Sequence, residues 1–117
     1  MDTFGLAVKE LILLHLEEHF EEQFNFLAKK IAEPPIAVSQ EGIKEGTGLT
    51  QPQISRGIKS LEKEELIERK KIFVKATGRF RDFYFLQRAG IHKATKLKEE
   101  LDQKSVKVKD IAGKTKE

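Results

Sequence analysis

Along the first quarter of the chain, apolar residues recur in steps of three and four: Phe4, Val8, Leu11, Ile12, Leu16, Phe20, Phe24, Leu27 and Ile31. A helix turns by about 100° per residue, so this spacing gathers them on one face and predicts helix from about Thr3 to Ala32. The pattern leaves open whether this is one rod or two helices bent near His19. Pro34-Pro35 ends it, since proline lacks a backbone donor and restricts the residue before it. Ile36-Ala37-Val38 is then predicted as a short strand.

A tighter rhythm follows from Ser39 to Lys63. Ser39 caps a short helix anchored inward by Ile43, and Gly46 and Gly48 supply the left-handed freedom that ends such a helix. Thr50 caps a second helix with Pro52 in its first turn, where the missing N–H costs nothing. Ile54, Ile58 and Leu61 form a stripe that must be buried, while Pro52, Arg56, Lys59 and Lys63 point the opposite way, flanked by Gln53, Ser55 and Ser60. Leu66-Ile67 closes the core. Glu68 to Lys75 and Phe80 to Leu86 are predicted strands around a turn at Ala76–Arg79.

Ala89 to Gln103 is predicted as helix, with Ile91, Ala94, Leu97 and Leu101 on one stripe. Beyond it Val106 and Val108 alternate with lysines as a lone strand, and Asp110 and Gly113 suggest a turn. A lone strand cannot bury itself. Residues 104–117 are therefore expected to be either a loosely held tail or the start of a truncated further segment. The fold class is mainly α with a small β-hairpin (α+β), as one domain over residues 1–103 with its core in about 36–92.

Composition narrows the setting. The 117 residues suffice for one domain with a modest core. With no cysteine there are no disulfides or thiolate metal sites, and a cytoplasmic home is the simpler expectation. The run Leu11–Leu14 is far too short to cross a bilayer, so no membrane association is expected. The net charge of +3 is unevenly spread: residues 1–49 hold four Lys/Arg against nine Asp/Glu, residues 50–81 nine against four, and residues 82–117 nine against six. A basic middle beside an acidic start suits a polyanion engaged by one part of the fold.

That distribution gives the presented helix its meaning. Arg and Lys can meet phosphates or guanine, Gln can bond adenine edges, and Ser can reach a phosphate oxygen. The hairpin that follows carries basic limbs and a basic tip, and can lie along a DNA backbone or enter a minor groove. The candidate DNA-binding residues are Ser39, Gln40, Thr50, Gln51, Gln53, Ser55, Arg56 and Lys59 from the helical pair, with Lys71, Lys75, Arg79 and Arg81 from the hairpin. The partner they imply is double-stranded DNA.

Other chemistries find less support. His15 and His19 stand at i, i+4 with Glu18 and Glu22 nearby, a spacing able to hold a metal. Residue 16 is Leu, so the Glu that a zinc-protease helix needs after its first His is missing, and ordinary imidazoles are expected with no metal or cofactor. Gly46-Thr47-Gly48 has neither a preceding strand nor a following Lys and is no phosphate loop. No nucleophile is assembled with a base, so no enzyme is expected. The alternative of another class is a protein-interaction module, whose presented helix would carry aromatic or Leu anchors instead of Gln, Arg and Lys. The apolar stripes at the two ends exceed what a small core uses, so a homodimer joined through the terminal helices is expected.

The order of elements, with Leu49-Thr50-Gln51-Pro52-Gln53-Ile54-Ser55-Arg56 followed by Leu61-Glu62 and Leu66-Ile67, resembles the winged helix-turn-helix domains of MarR-like regulators. It is closer to archaeal winged-helix proteins with a TQEGIA…LG…VSRAL..L…GLI pattern and then RR…Y.LT..G. Ser39-Gln40-Glu41-Gly42-Ile43 and Arg79 through Gly90 hold those places, and the likeness covers roughly residues 36–92. It implies a DNA-binding transcriptional regulator, or the DNA-binding domain of a longer chain, with an unidentified effector. Three positions depart from it. Gly46 predicts an early end to the first helix, Gly57 replaces an Ala within the second, and Gln87 replaces a Thr after the hairpin.

Overall fold

The N-terminal helix breaks at His19. The computed structural model describes residues 6–113, with side chains as far as residue 103; the expected helix start at Thr3 and the anchor Phe4 lie outside the described residues. Helix α1 spans Val8–Glu18 and α2 spans Phe20–Leu27, so the two-helix alternative holds. The expected continuation to Ala32 does not form. Lys29 takes the left-handed conformation at φ 63°, and the Asn25 carbonyl accepts from both Lys30 N (2.7 Å) and Ile31 N (3.4 Å), which closes the helix end.

Ile36–Val38 is a 3-10 turn and not the expected strand. Val38 N donates to Pro35 O and Ser39 N to Ile36 O, bonds between residues three apart that leave no extended ladder. Only Ser39 bridges to the sheet, opposite Phe83. Helix α3 follows over Gln40–Thr47, capped by Ser39 Oγ accepting from Gly42 N at 3.2 Å. It runs past Gly46 and ends at Gly48, whose φ of 74° is the left-handed turn expected there.

Helix α4 spans Gln51–Lys63, and its Ile54, Ile58 and Leu61 are buried as the periodicity requires. Gly57 faces α1: a Cβ there would stand 2.6 Å from Ile12 Cδ1 and 3.1 Å from Val8 Cγ1. The glycine lowers helix propensity by about 1 kcal/mol, and the close packing of α1 is what it permits. Strands β1 (Ile67–Val74) and β2 (Arg79–Leu86) pair antiparallel from Ile67↔Leu86 to Val74↔Arg79.

Helix α5 covers Arg88–Gly113. The expected strand at Val106–Val108 and turn at Asp110–Gly113 are absent, because a helix satisfies its own backbone groups where no strand edge is on offer. One core joins Ile12, Leu13 and Leu16 of α1, Ile43 of α3, the α4 stripe, Phe83–Leu86 of β2, and Ala94 of α5. Three members of the apolar stripes expected to be free are thus used internally, Ala94 fully and Phe20 and Ile91 in part. No described helix is long and apolar enough to cross a membrane.

One buried polar group ties the two ends of this arrangement. Gln23, 1% exposed, donates from Nε2 to Leu16 O at 2.7 Å and accepts Leu86 N at 3.0 Å, so α2 is clamped to the last residue of β2 across the His19 break. Replacing it by Leu keeps the volume but strands the Leu86 N–H, while Leu16 O keeps the His19 N–H at 3.2 Å. We expect Gln23→Leu to cost about 1–3 kcal/mol for the buried N–H left unpaired, read as a lower denaturation midpoint; an unchanged midpoint would mean water replaces the amide.

Candidate nucleic-acid interface

Thr50 sets the start of α4. Its Oγ1 accepts from Gln53 N (3.3 Å), while Thr50 N donates to Gln53 Oε1 (2.9 Å), a reciprocal box that satisfies two otherwise orphaned donors. The side-chain carbonyl oxygen of half-buried Gln53 is therefore committed to the helix end. Gln51 is exposed and donates to Gln40 Oε1, and Gln40 Nε2 donates to the Tyr84 hydroxyl at 3.1 Å. This relay joins the first residues of α3 and α4 to the base of the hairpin. Burial pushes the Tyr84 phenol above its ordinary value, against the opposing pull of the Gln40 hydrogen bond, so it stays protonated at neutral pH.

Below the relay, Arg69 of β1 forms a fork to Glu62 of α4, Nε to Oε2 and Nη2 to Oε1 at 3.0 Å each. The same guanidinium lies 5.6 Å from the Tyr84 ring. These contacts fix the hairpin relative to α4. Neither Arg69 nor Tyr84 is in the set drawn from the sequence. The signal for Tyr84 was slight: it is the single tyrosine of the chain, inside the second strand.

The outward face of α4 presents Gln51, Pro52, Arg56, Lys59 and Lys63, all exposed, with Ser55 half-buried beside them. Among the described ion pairs none engages Arg56, Lys59 or Lys63. Ser39 is placed differently. At 1% exposure its hydroxyl accepts from Gly42 N and donates to Ile36 O, so it is a buried cap and not a surface contact, a correction to its place in the candidate set.

The hairpin turns at Lys75–Gly78, with Gly78 at φ 68° and its N–H on Val74 O at 2.8 Å. Lys75 and Arg79 flank the turn and are exposed. Arg81 is paired with Glu41 of α3 at 2.7 Å, and Lys71 with Asp82 at 3.6 Å. Phe73 and Phe80 face each other next to the tip, edge to face at 5.3 Å, and remain 49% and 62% exposed. These two aromatic residues stand at the far end of the hairpin from its buried base.

No protein-family model and no curated protein sequence matches the chain. Solved structures do. MepR, a transcription regulator of the Staphylococcus aureus multidrug efflux pump MepA, matches with a TM-score of 0.57 and 22% identity over 91% of this chain and 67% of that chain. The S. aureus MepR–DNA complex matches with a TM-score of 0.61 and 20% identity, covering 95% and 76%. MepR bound to ethidium bromide matches with a TM-score of 0.54 and 21% identity, covering 92% and 67%. At such identities the likeness is one of fold. Helices α1–α5 with a two-stranded hairpin between α4 and α5 make this a winged helix-turn-helix.

Proposed function

We propose that this chain binds double-stranded DNA as a transcriptional regulator in the cytoplasm, with α4 entering the major groove and the β1–β2 hairpin acting as a wing on the backbone or in the minor groove. The observation that carries this reading is the division of α4 into a buried Ile54, Ile58, Leu61 face and an outward face of Gln51, Arg56, Lys59 and Lys63 without large apolar residues. Gln51 and Arg56 lie toward the N-terminal end, where a recognition helix meets base edges. Lys59 and Lys63 are placed to meet phosphates. That a protein of the same fold is solved as a DNA complex supports the reading.

Selection from a random DNA pool tests it directly. Arg56→Ala should relax preference at particular base pairs and cost about 1–3 kcal/mol on the preferred sequence. On the wing, Arg79→Ala should flatten the log–log dependence of binding on salt by about one unit. Arg81→Ala should flatten it less, since Arg81 must give up Glu41 before meeting a phosphate. Equal losses on all sequences for Arg56→Ala would assign it to the backbone, and an unchanged slope for Arg79→Ala would make the wing a spectator. The exposed Phe73–Phe80 pair favours a protein-interaction module, and absence of any salt-sensitive DNA retention would select that reading.

We infer further that two copies join through the terminal helices. Phe24, Leu27, Ile31 and Ile36 are 52%, 48%, 40% and 53% exposed. At half exposure each forfeits about 0.8–1.5 kcal/mol of burial. Leu97 and Leu101 of α5 are half-buried as well. A two-fold pair would set each α4 toward successive major grooves. Sedimentation at micromolar concentration should give twice the chain mass, lost in Phe24→Glu; a mass that stays at one chain and ignores that substitution would end the dimer reading while leaving DNA binding intact.

A further inference from the structure

The break between α1 and α2 carries a cluster that DNA binding does not use. His15 is 7% exposed, with Nε2 at 2.8 Å from the Ala37 carbonyl oxygen. A carbonyl only accepts, so Nε2 holds the proton and Nδ1 keeps a free lone pair. His19 has Nδ1 at 2.8 Å from Glu22 Oε1, and the same logic leaves its Nε2 free. The two rings lie 4.8 Å apart, centroid to centroid. Glu18 stands on the same turn, and one ligand atom from each of His15, Glu18 and His19 lies within 4.8 Å of the other two.

We propose that His15, Glu18 and His19 form a binding site for a divalent transition metal of the Zn2+ class. Each imidazole donates one N–H to an oxygen and holds the other nitrogen open, which is the arrangement that orients metal-bound histidines and fixes their tautomer. Two imidazoles and one carboxylate suit Zn2+ better than Mg2+ or Ca2+, which prefer oxygen alone. Tetrahedral coordination at Zn–N distances of 2.0–2.1 Å separates ligand atoms by about 3.3 Å, so the exposed Glu18 and half-buried His19 must turn inward by a small rotation. His15 needs no such movement. Burial pushes its imidazole below the ordinary value, with the Ala37 carbonyl pulling the other way.

Gly46 supplies an independent mark of this site. A Cβ there would stand 2.2 Å from His15 Cε1 and 2.4 Å from Nδ1, so the ring and its free nitrogen occupy the space a side chain would fill on α3. Leu14, Thr47 and Lys98 line a cleft of about 400 Å³ beside the cluster, with room for water as a fourth ligand. The Lys98 ammonium lies 3.6 Å from Glu17, which offsets its charge near the site. A bound ion would fix the angle between α1 and α2 and hold it against the end of α3.

The test uses the tag-free full chain, with Co2+ as spectroscopic probe and Zn2+ in competition against a chelator. One Co2+ per chain should give the visible absorption of a low-coordinate site, and equimolar Zn2+ should abolish it. Glu22→Gln should weaken Zn2+ by about 10–100-fold, His19→Gln and Glu18→Gln by at least as much, and Glu21→Gln not at all. Because Glu18 is exposed, Glu18→Gln keeps the test decisive should His19→Gln unfold. Equal Zn2+ affinity in the wild type and Glu18→Gln, or no Co2+ absorption at one equivalent, would overturn the site.

Discussion

The close approach of α1 to α4 at Gly57 is the constraint on which the rest of the structure depends. Ile12 is wholly buried and its Cδ1 fills the place of the missing side chain, so α4 lies flat on α1 along its apolar stripe. A helix pinned along one whole face has only the opposite face left for water, and that fixes which residues are presented. The identity of the outward side chains then carries no folding duty. Arg56, Lys59 and Lys63 project without described ion pairs because the burial of Ile54, Ile58 and Leu61 already positions the backbone beneath them.

Polar residues at the edges do the remaining positioning. The box between Thr50 and Gln53 sets where α4 begins, the Gln51–Gln40–Tyr84 relay sets it against α3 and the hairpin, and the Arg69–Glu62 fork holds the hairpin's base. Charge-assisted and bidentate bonds are the stronger, more directional kind. The hairpin is thus anchored at its base and released at its tip, where Lys75 and Arg79 stand beside an exposed aromatic pair. A two-stranded ribbon is marginal alone. Here Phe83, Tyr84, Phe85 and Leu86 bury its lower half, while Phe73 and Phe80 in the upper half stay exposed.

What was legible in the sequence was local. Ser39, Thr50 and Gly48 mark helix ends through hydrogen bonds or backbone freedom within four residues, and the structure places those ends as read. The α4 stripe and the hairpin were legible for the same reason, since period and turn chemistry are short-range properties. What escaped was set by partners far along the chain. Gln23 looks like any polar residue of a charged helix, and its burial comes from Leu86, 63 positions away. Ser39 has the chemistry of a phosphate contact, but its bridge to Phe83 places it under the surface. Val106 and Val108 alternate like a strand, yet alternation needs a neighbouring edge to become one, and the helix continues instead.

The same contrast explains the two glycines that lie inside helices where the family likeness has better helix formers. Gly57 and Gly46 each weaken a helix locally, and each makes room for a side chain of α1, Ile12 in one case and His15 in the other. One helix therefore touches both members of the helical pair through notches, and its last turn bears on α3 while its first turns bear on α4. Rotation or bending of α1 cannot leave both notches filled. His15, one turn before His19, bears on α3 at Gly46, and α3 carries Gln40, the middle member of the relay to Gln51. The side chain at the tip of the presented helix is thereby in line, through hydrogen-bonded and packed groups, with the last turn of α1.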